Sequence, residues 1–388
     1  MKMPPAASPV TRIPSRSIPK LTQLLLFVRA GGRCEFDGCN KYLLRHHLTL
    51  TEGNFGEMAH VVAFSPQGPR GRRRLDTKKL NSIANLMLLC PWCHKLIDRR
   101  AAEYSVTTLR RFKQRHEDRI HRLTGTQPDQ ETRVVILKAK IGAQAVDLSP
   151  GEIQEAIAPR YPDPDSYVID LTAIPDGDDA VFWENAKRTI AQNCERLYAT
   201  RMDGPPPRHI SLFALAPIPL LVHLGSRLNS KIPMDLYQRH RDKENWTWKT
   251  SGEPAAYTVN VLRRGSDRSK VALLLSLSGS IPPEKLPPQI DSGFTLYEVT
   301  LAKGLPNPGF LRLRQDLVAF QRVYQEVLAT VVKEHGLVDE IHLFPAVPAP
   351  VAVICGREPL PKVHPALIIY DYNKHKGGFS PTIRINQP

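Results

Sequence analysis

The chain has 388 residues, 41% of them hydrophobic, which is enough for two or three packed domains. No apolar run approaches the length that spans a bilayer, so no membrane partner is expected. Six cysteines are too few for a disulfide framework; a reducing cytosol with metal-bound thiolates fits better. A formal net charge of +15 favours a polyanionic partner, nucleic acid above all.

Residues 1–20 are rich in Pro and Ser, carry scattered Lys and Arg, and lack an apolar core segment. They read as a flexible basic arm and not as a secretory signal. Leu21 to Ala30 is a short apolar helix that Gly31-Gly32 ends. Cys34 and Cys39 then form a C-x4-C pair, and Cys90 and Cys93 a C-x2-C pair. Zinc takes four tetrahedral ligands, and sites made of four cysteines are closed and structural. The four thiols are therefore read as a zinc staple.

Between the pairs lies His60, in the strand-like run Glu57-Met58-Ala59-His60-Val61-Val62. A neutral imidazole there suits a general base near pH 7. Arg70, Arg72, Arg73, Arg74, Lys78 and Lys79 crowd one loop and are expected to hold DNA phosphates without reading sequence. Asn85 precedes Leu86-Met87-Leu88-Leu89-Cys90 and is placed to orient His60 or its loop. His94 follows the second pair and opens a helix. Asp98, four residues on, shares its face and would fix its tautomer. Phosphodiester hydrolysis needs a base to activate water and a cation to offset charge on the phosphate; the ordered His60, Asn85, His94 set supplies groups for both. Thr107 to Leu123 is a charged, solvated helix that closes the module.

Residues 126–165 are read as a connector. Within it Val134 to Leu148 has material for one strand or two, and Ser149-Pro150-Gly151-Glu152 is a capping box opening a helix through Ile157. From Tyr167 the pattern alternates: strand Tyr167–Ile174, helix Trp183–Ala199, strand Ile210–Ala216, helix Pro219–Leu228, a variable insert over 232–264, strand Val271–Leu277, strand Phe294–Leu301, helix Gln315–Glu334 and strand Ile341–Phe344. Such alternation implies α/β architecture with a largely parallel sheet. Similar series starting near Tyr167 and Val271 suggest two Rossmann-like halves, with ligands outside the strand carboxyl ends. Candidate ligand contacts are Arg239, Trp246, Trp248 and Lys249, as aromatics beside cations, and Ser278, Gly279, Phe344, Pro345, Ala346 and Pro348, mostly small residues at strand ends. Buried tryptophans and plain tight turns account for the same residues equally well.

Residues 21–125 resemble the HNH endonucleases through Ala59-His60-Val61, Gly68-Pro69-Arg70-Gly71, Asn85-Leu86-Met87-Leu88-Leu89-Cys90 and Cys93-His94-Lys95-Leu96-Ile97-Asp98. The resemblance implies a zinc-stapled ββα-metal fold with His60 as base, Asn85 as orienting residue and His94 as ligand to Mg2+ or a similar divalent ion. The chain departs from the family at Ala59, where many members place an acidic ligand. Glu57, His46 and His47 are the replacements considered, with Glu57 otherwise supporting His94 from behind.

Residues 166–388 resemble the SAVED domain, through His342-Leu343-Phe344-Pro345-Ala346-Val347-Pro348, Val353-Ile354-Cys355-Gly356-Arg357 and His364-Pro365-Ala366-Leu367-Ile368-Ile369-Tyr370-Asp371. SAVED domains look like two fused CARF-type halves and bind cyclic oligonucleotides. The order of domains resembles the HNH–SAVED effectors of CBASS, a bacterial antiphage system. It implies a cytoplasmic nuclease that a cyclic dinucleotide, of the cyclic GMP–AMP type, switches on by driving self-association into a dimer or higher oligomer on double-stranded DNA. Two other readings stand beside it: a zinc-containing DNA-binding regulator that does not cut, and a modification-dependent restriction endonuclease.

Overall fold

A computed structural model describes residues 17–71, 76–140, 147–174, 180–199, 207–228, 231–336, 338–373 and 377–386. Of the sequence-stretch expectations, the basic arm up to residue 16 and Arg72, Arg73 and Arg74 lie outside the described residues. The chain divides into two compact units, Met1–Thr126 and Gln127–Pro388.

The first unit contains α1 (Lys20–Arg29), β1 (Glu57–His60), α2 (Thr77–Leu80), β2 (Leu86–Leu89), α3 (Pro91–Arg99) and α4 (Val106–Thr124). Gly31 and Gly32 after α1 both hold positive φ, +60° and +64°, a conformation that costs glycine little and reverses the chain. Strands β1 and β2 pair antiparallel, with His60 opposite Leu86. Cys90 then caps α3, its sulfur accepting from the Cys93 N–H at 3.5 Å, and Pro91 takes the first helical position, where its missing donor costs nothing. Leu26, Leu43, Ala59, Val61, Leu86 to Leu89, Ile97 and Leu109 form the core. Helix α4 is less solvated than its charge suggests: Lys113 and His116 are buried. Lys113 pairs with Glu117 at 2.6 Å and with fully buried Glu35 at 3.5 Å. Glu35 also accepts from the Leu88 N–H at 2.6 Å. Burial is the main cause that pushes its carboxyl up to about 7.

The second unit contains β3 (Glu131–Lys138), α5 (Pro150–Ile157), β4 (Tyr161–Pro162), β5 (Tyr167–Asp170), α6 (Ala180–Tyr198), β6 (Ile210–Leu215), α7 (Ile218–Arg227), β7 (Met234–Tyr237), β8 (Tyr257–Arg263), β9 (Val271–Ser276), β10 (Thr295–Leu301), α8 (Arg314–His335), β11 (Glu340–Ala346), α9 (Ala349–Arg357), β12 (Ala366–Asn373) and β13 (Gly378–Ile385). One sheet runs β4-β3-β6-β7, with β5 also beside β3, all parallel. The other runs β13-β12-β11-β9-β10-β8, parallel in its four central strands and antiparallel at both edges.

The order β5-β3-β6-β7 repeats as β10-β9-β11-β12. The 126–165 stretch is therefore no mere connector: it supplies β3, the strand that organises the first sheet, and the first half starts at Glu131 instead of Tyr167. The 232–264 stretch is likewise more than an insert, since β7 and β8 each join a sheet.

The repeat is written in the residues. Leu212-Phe213, Pro217, Pro219, Val222 and Gly225 recur as Leu343-Phe344, Pro348, Pro350, Val353 and Gly356. Phe213 stacks on Tyr237 at 4.5 Å, and Phe344 on Tyr370 at 4.2 Å. Trp246 meets Phe213 edge-on at 5.3 Å, and Phe379 meets Phe344 edge-on at 5.2 Å. The helices α7 and α9 cross where Gly225 faces Gly356; a Cβ on either would overlap the Val353 or Val222 carbonyl oxygen of the other helix.

Candidate functional site

In the first unit the four predicted thiols converge. The sulfurs of Cys34, Cys39, Cys90 and Cys93 all lie within 4.8 Å of one another, and Cys39 and Cys90 stand 4.0 Å apart. Metal–sulfur bonds of about 2.3 Å in a tetrahedron place sulfurs about 3.8 Å apart, so the four fit one metal ion. The hydrogen bond from Cys93 is the main cause that lowers the Cys34 thiol to about 5, while Cys93 and Cys39 are raised. One thiolate is thus already favoured within the cluster.

His60 stands at the end of β1, half-buried. Its Nε2 lies 3.1 Å from the Asn81 Oδ1. Asn81 donates through Nδ2 to the Ser17 carbonyl at 3.3 Å, which fixes the amide so that its oxygen faces the ring. The proton of His60 therefore sits on Nε2 and the basic lone pair on Nδ1. Asn81 was missed from the sequence, where it is one polar residue in a basic loop. Asn85 is buried and holds the loop and not the ring: its Oδ1 accepts from the Val62 N–H at 2.9 Å, and its Nδ2 donates to the Val62 carbonyl at 3.0 Å and the Leu80 carbonyl at 2.9 Å.

His94 on α3 faces two carboxylates. Its Nδ1 lies 2.7 Å from the Glu57 Oε2, and its Nε2 lies 3.5 Å from the Asp98 Oδ2. Ala59 is 1% exposed and belongs to the apolar core, which explains why that position carries no acid. His46 and His47 make their contacts with Thr49, Phe55 and Lys41. Arg70, expected to hold phosphate, turns inward. It donates to the Val61 carbonyl at 2.9 Å, the Ile97 carbonyl at 2.7 Å and the Asp98 Oδ1 at 3.0 Å, with its side chain 6% exposed. Lys78 and Lys79 are exposed.

In the second unit a cavity of about 860 Å³ opens at the carboxyl ends of β6, β7, β9, β11 and β12 and the first turns of α7 and α9. The first half contributes Gln238, Arg239, Arg241 and Glu244, and the second Ser278, Gly279, Pro308 and Asp371. The site sits where parallel sheets of this kind leave a crevice.

The sequence profile of the SMODS-associated and fused to various effectors sensor domain (SAVED) matches residues 189–385. The chain belongs to the SAVED family. An HNH endonuclease profile matches residues 34–101, so an HNH domain, of the class that hydrolyses phosphodiester bonds, precedes the SAVED domain. A search of curated proteins finds no match. Solved structures similar to the chain include the Acinetobacter baumannii Cap4 SAVED/CARF-domain containing receptor with the cyclic trinucleotide 2'3'3'-cAAA, at 11% identity and TM-score 0.46 over 76% of this chain and 61% of that one. The Moraxella osloensis Cap4 receptor is similar at 12% identity and TM-score 0.40 over 81% and 61%. The chain spans about three-fifths of the length of these receptors.

The SAVED cavity brings together Arg239, Ser278, Gly279, Ala346 and Pro348 from the expected ligand set. It excludes others. Trp246 is 2% exposed and packs on Phe213, and Phe344 is buried on Tyr370. Pro345 lies inside β11 opposite Leu275, buried between strands. Trp248 is half-buried and donates from Nε1 to the Leu236 carbonyl at 3.1 Å. Lys249 pairs with Asp242 and lines a smaller neighbouring pocket. Arg241, which also lines the SAVED cavity, stands outside the expected ligand set.

The inward position of Arg70 has a measurable consequence in the HNH domain. Alanine at Arg70 strands two carbonyls and the Asp98 carboxylate, at a cost of about 2 kcal/mol. The HNH melting transition should fall, while the slope of log affinity for DNA against log salt should stay that of the parent. Alanine at Lys78 should do the reverse and flatten the slope by about one.

Proposed function

We propose that the chain is a second-messenger-gated DNA endonuclease of the HNH–SAVED type, in which a cyclic oligonucleotide bound in the SAVED cavity switches on hydrolysis of double-stranded DNA by the HNH domain. The observation that carries this reading is a half-buried histidine held by an amide and a second histidine between two carboxylates in one unit, together with a cavity at the strand ends of the other that Arg239 and Arg241 line along with Glu244 and Asp371. The four cysteines would hold structural zinc. His94 would hold Mg2+ or a similar divalent ion together with Glu57, whose carboxylate lies 2.7 Å from the ring. Glu57 lies two residues from Ala59 on β1, on the same side of the strand, and so offers an acid where the usual position is taken by the core. Asp98, held by Arg70, orients the His94 ring from the other nitrogen.

The bound ion would offset the charge that develops on the scissile phosphate. His60 takes the proton of the attacking water on Nδ1, with Asn81 keeping the other nitrogen protonated. Asn85 holds the backbone after His60 so that the ring keeps its place. Lys78 and Lys79 hold the DNA backbone through charge alone, which gives cleavage with little sequence preference.

Cutting both strands needs two active sites or one that rebinds, so ligand-driven assembly of dimers or larger oligomers is the natural switch. The ligand moves that equilibrium only by its difference in affinity for the resting and assembled states. A cyclic dinucleotide of the cyclic GMP–AMP type is the first ligand to test. In a bacterial cytoplasm such cleavage would halt growth of an infected cell.

The purified protein with plasmid DNA and Mg2+ should leave the plasmid intact without ligand. It should degrade the plasmid with one member of a panel of cyclic di- and trinucleotides, read on a gel. Degradation without any nucleotide would sink the gating; an intact plasmid under every condition would sink the nuclease.

A further inference from the structure

A second pocket, of about 70 Å³, lies beside the SAVED cavity. Gln238, Arg239, Arg241 and Pro308 line both. The smaller one adds His240, Lys249 and Arg312, with a single carboxylate, Asp242, which pairs with Lys249. Four cations, one of them paired with Asp242, therefore surround a small space open to an oxyanion.

The wall also carries polar groups whose needs the protein does not meet. His240 is 5% exposed, and its Nε2 has no hydrogen-bond partner. Gln238 Oε1 and Asn245 Oδ1, on the same loop, are in the same condition. Among the described residues, three of the five buried side-chain atoms without a partner thus lie on this loop, two of them on residues that line the pocket. Each such group carries an unreturned desolvation cost, so their concentration next to a cavity calls for an explanation.

The loop is built to hold its shape. The His240 N–H donates to the Asn245 carbonyl at 2.7 Å, and the Lys249 N–H donates to the Arg312 carbonyl at 3.2 Å. Trp248 packs edge-on against the His240 ring at 5.5 Å. The charges that act on His240 are Asp242, Lys249 and Arg312, all members of the pocket wall, so the ring belongs to that wall. Burial first, then Lys249 and Arg312, lower its pKa despite Asp242. The ring is therefore neutral, and its Nε2 is left without a partner in the protein.

We propose that this side pocket is a phosphate subsite, which seats one phosphodiester of the oligonucleotide held in the adjacent SAVED cavity between Arg312, Arg239, Lys249 and His240. The inference rests on the reading of that cavity as the ligand site.

Calorimetry on the full chain tests it, with cyclic GMP–AMP isomers, 2'3'3' cyclic triadenylate and inorganic phosphate as probes, on the parent, Arg312→Ala and His240→Gln. The expected result is that one nucleotide binds the parent and that each variant binds it at least tenfold more weakly, with a flatter salt dependence for R312A. Inorganic phosphate should compete with the nucleotide in the parent and not in R312A. Circular dichroism melts should match across all three proteins. A nucleotide that binds parent and both variants equally overturns the subsite and leaves the cavity reading standing. A parent that binds no nucleotide overturns both. Phosphate binding that R312A abolishes, without nucleotide binding, assigns the pocket to free phosphate and overturns the proposal as stated.

Discussion

Serine at Cys90 should unfold the HNH domain while the SAVED domain keeps its own melting transition. The four sulfurs lie within 4.8 Å of one another at the edge of a small apolar core. Binding of structural zinc to such a set contributes about 10–16 kcal/mol, which matches or exceeds the total stability of about 5–15 kcal/mol typical of a domain. Cys90 acts twice, because its sulfur also caps α3, the helix that carries His94 and Asp98. Loss of the metal therefore removes the frame and the His94 face together. Differential scanning calorimetry should lose one of two transitions, and native mass spectrometry should lose one zinc per chain. A C90S protein that keeps both transitions would remove the metal staple from the account of the fold.

Alanine at His60 should slow cleavage by about 10²–10⁴, the usual contribution of a general base, with little change in stability or zinc content. His60 is half-buried, and among the described residues its side chain bonds to Asn81 and meets Phe64 edge-on at 5.9 Å, so its removal leaves the core intact. DNA affinity and its salt dependence should match the parent, since Lys78 and Lys79, the proposed phosphate contacts, lie elsewhere. Glu57→Gln in the same assay should instead raise the Mg2+ concentration needed for half-maximal rate. Single-turnover rates measured across a Mg2+ titration separate the two effects. Equal rates for H60A and the parent at saturating Mg2+ would exclude His60 as the base.

The four-thiol cluster was legible because paired cysteine spacing is local, and the α5 helix because Ser149 and Glu152 form their capping box within four residues. A strand within Val134–Leu148 was legible too, but not its central place in a sheet, since its partners β5 and β6 lie far along the chain and nothing in 131–138 names them. Charge in a run does not tell direction: Arg70 turns into the HNH core, whereas Lys78 and Lys79 stay outside. The tryptophans failed for the same reason, because residue type does not say which face of a loop is covered. The recurring Leu-Phe, Pro-x-Pro and Gly spacing could have located both halves, and with them α7, α9 and the cavity mouth.

The head-to-tail recurrence of β5-β3-β6-β7 in β10-β9-β11-β12 carries a genetic consequence. Leu212 pairs with Leu236 as Leu343 pairs with Ile369, so Gln238 and Asp371 occupy the same register in their halves and face one cavity. In an assembly of two identical half-length chains, one codon would dictate both positions, and the binding surface would be bound to mirror its own dyad. Fusion into one reading frame releases that bond. An amide now stands on one side and a carboxylate on the other, and each wall can drift under selection without dragging its counterpart along.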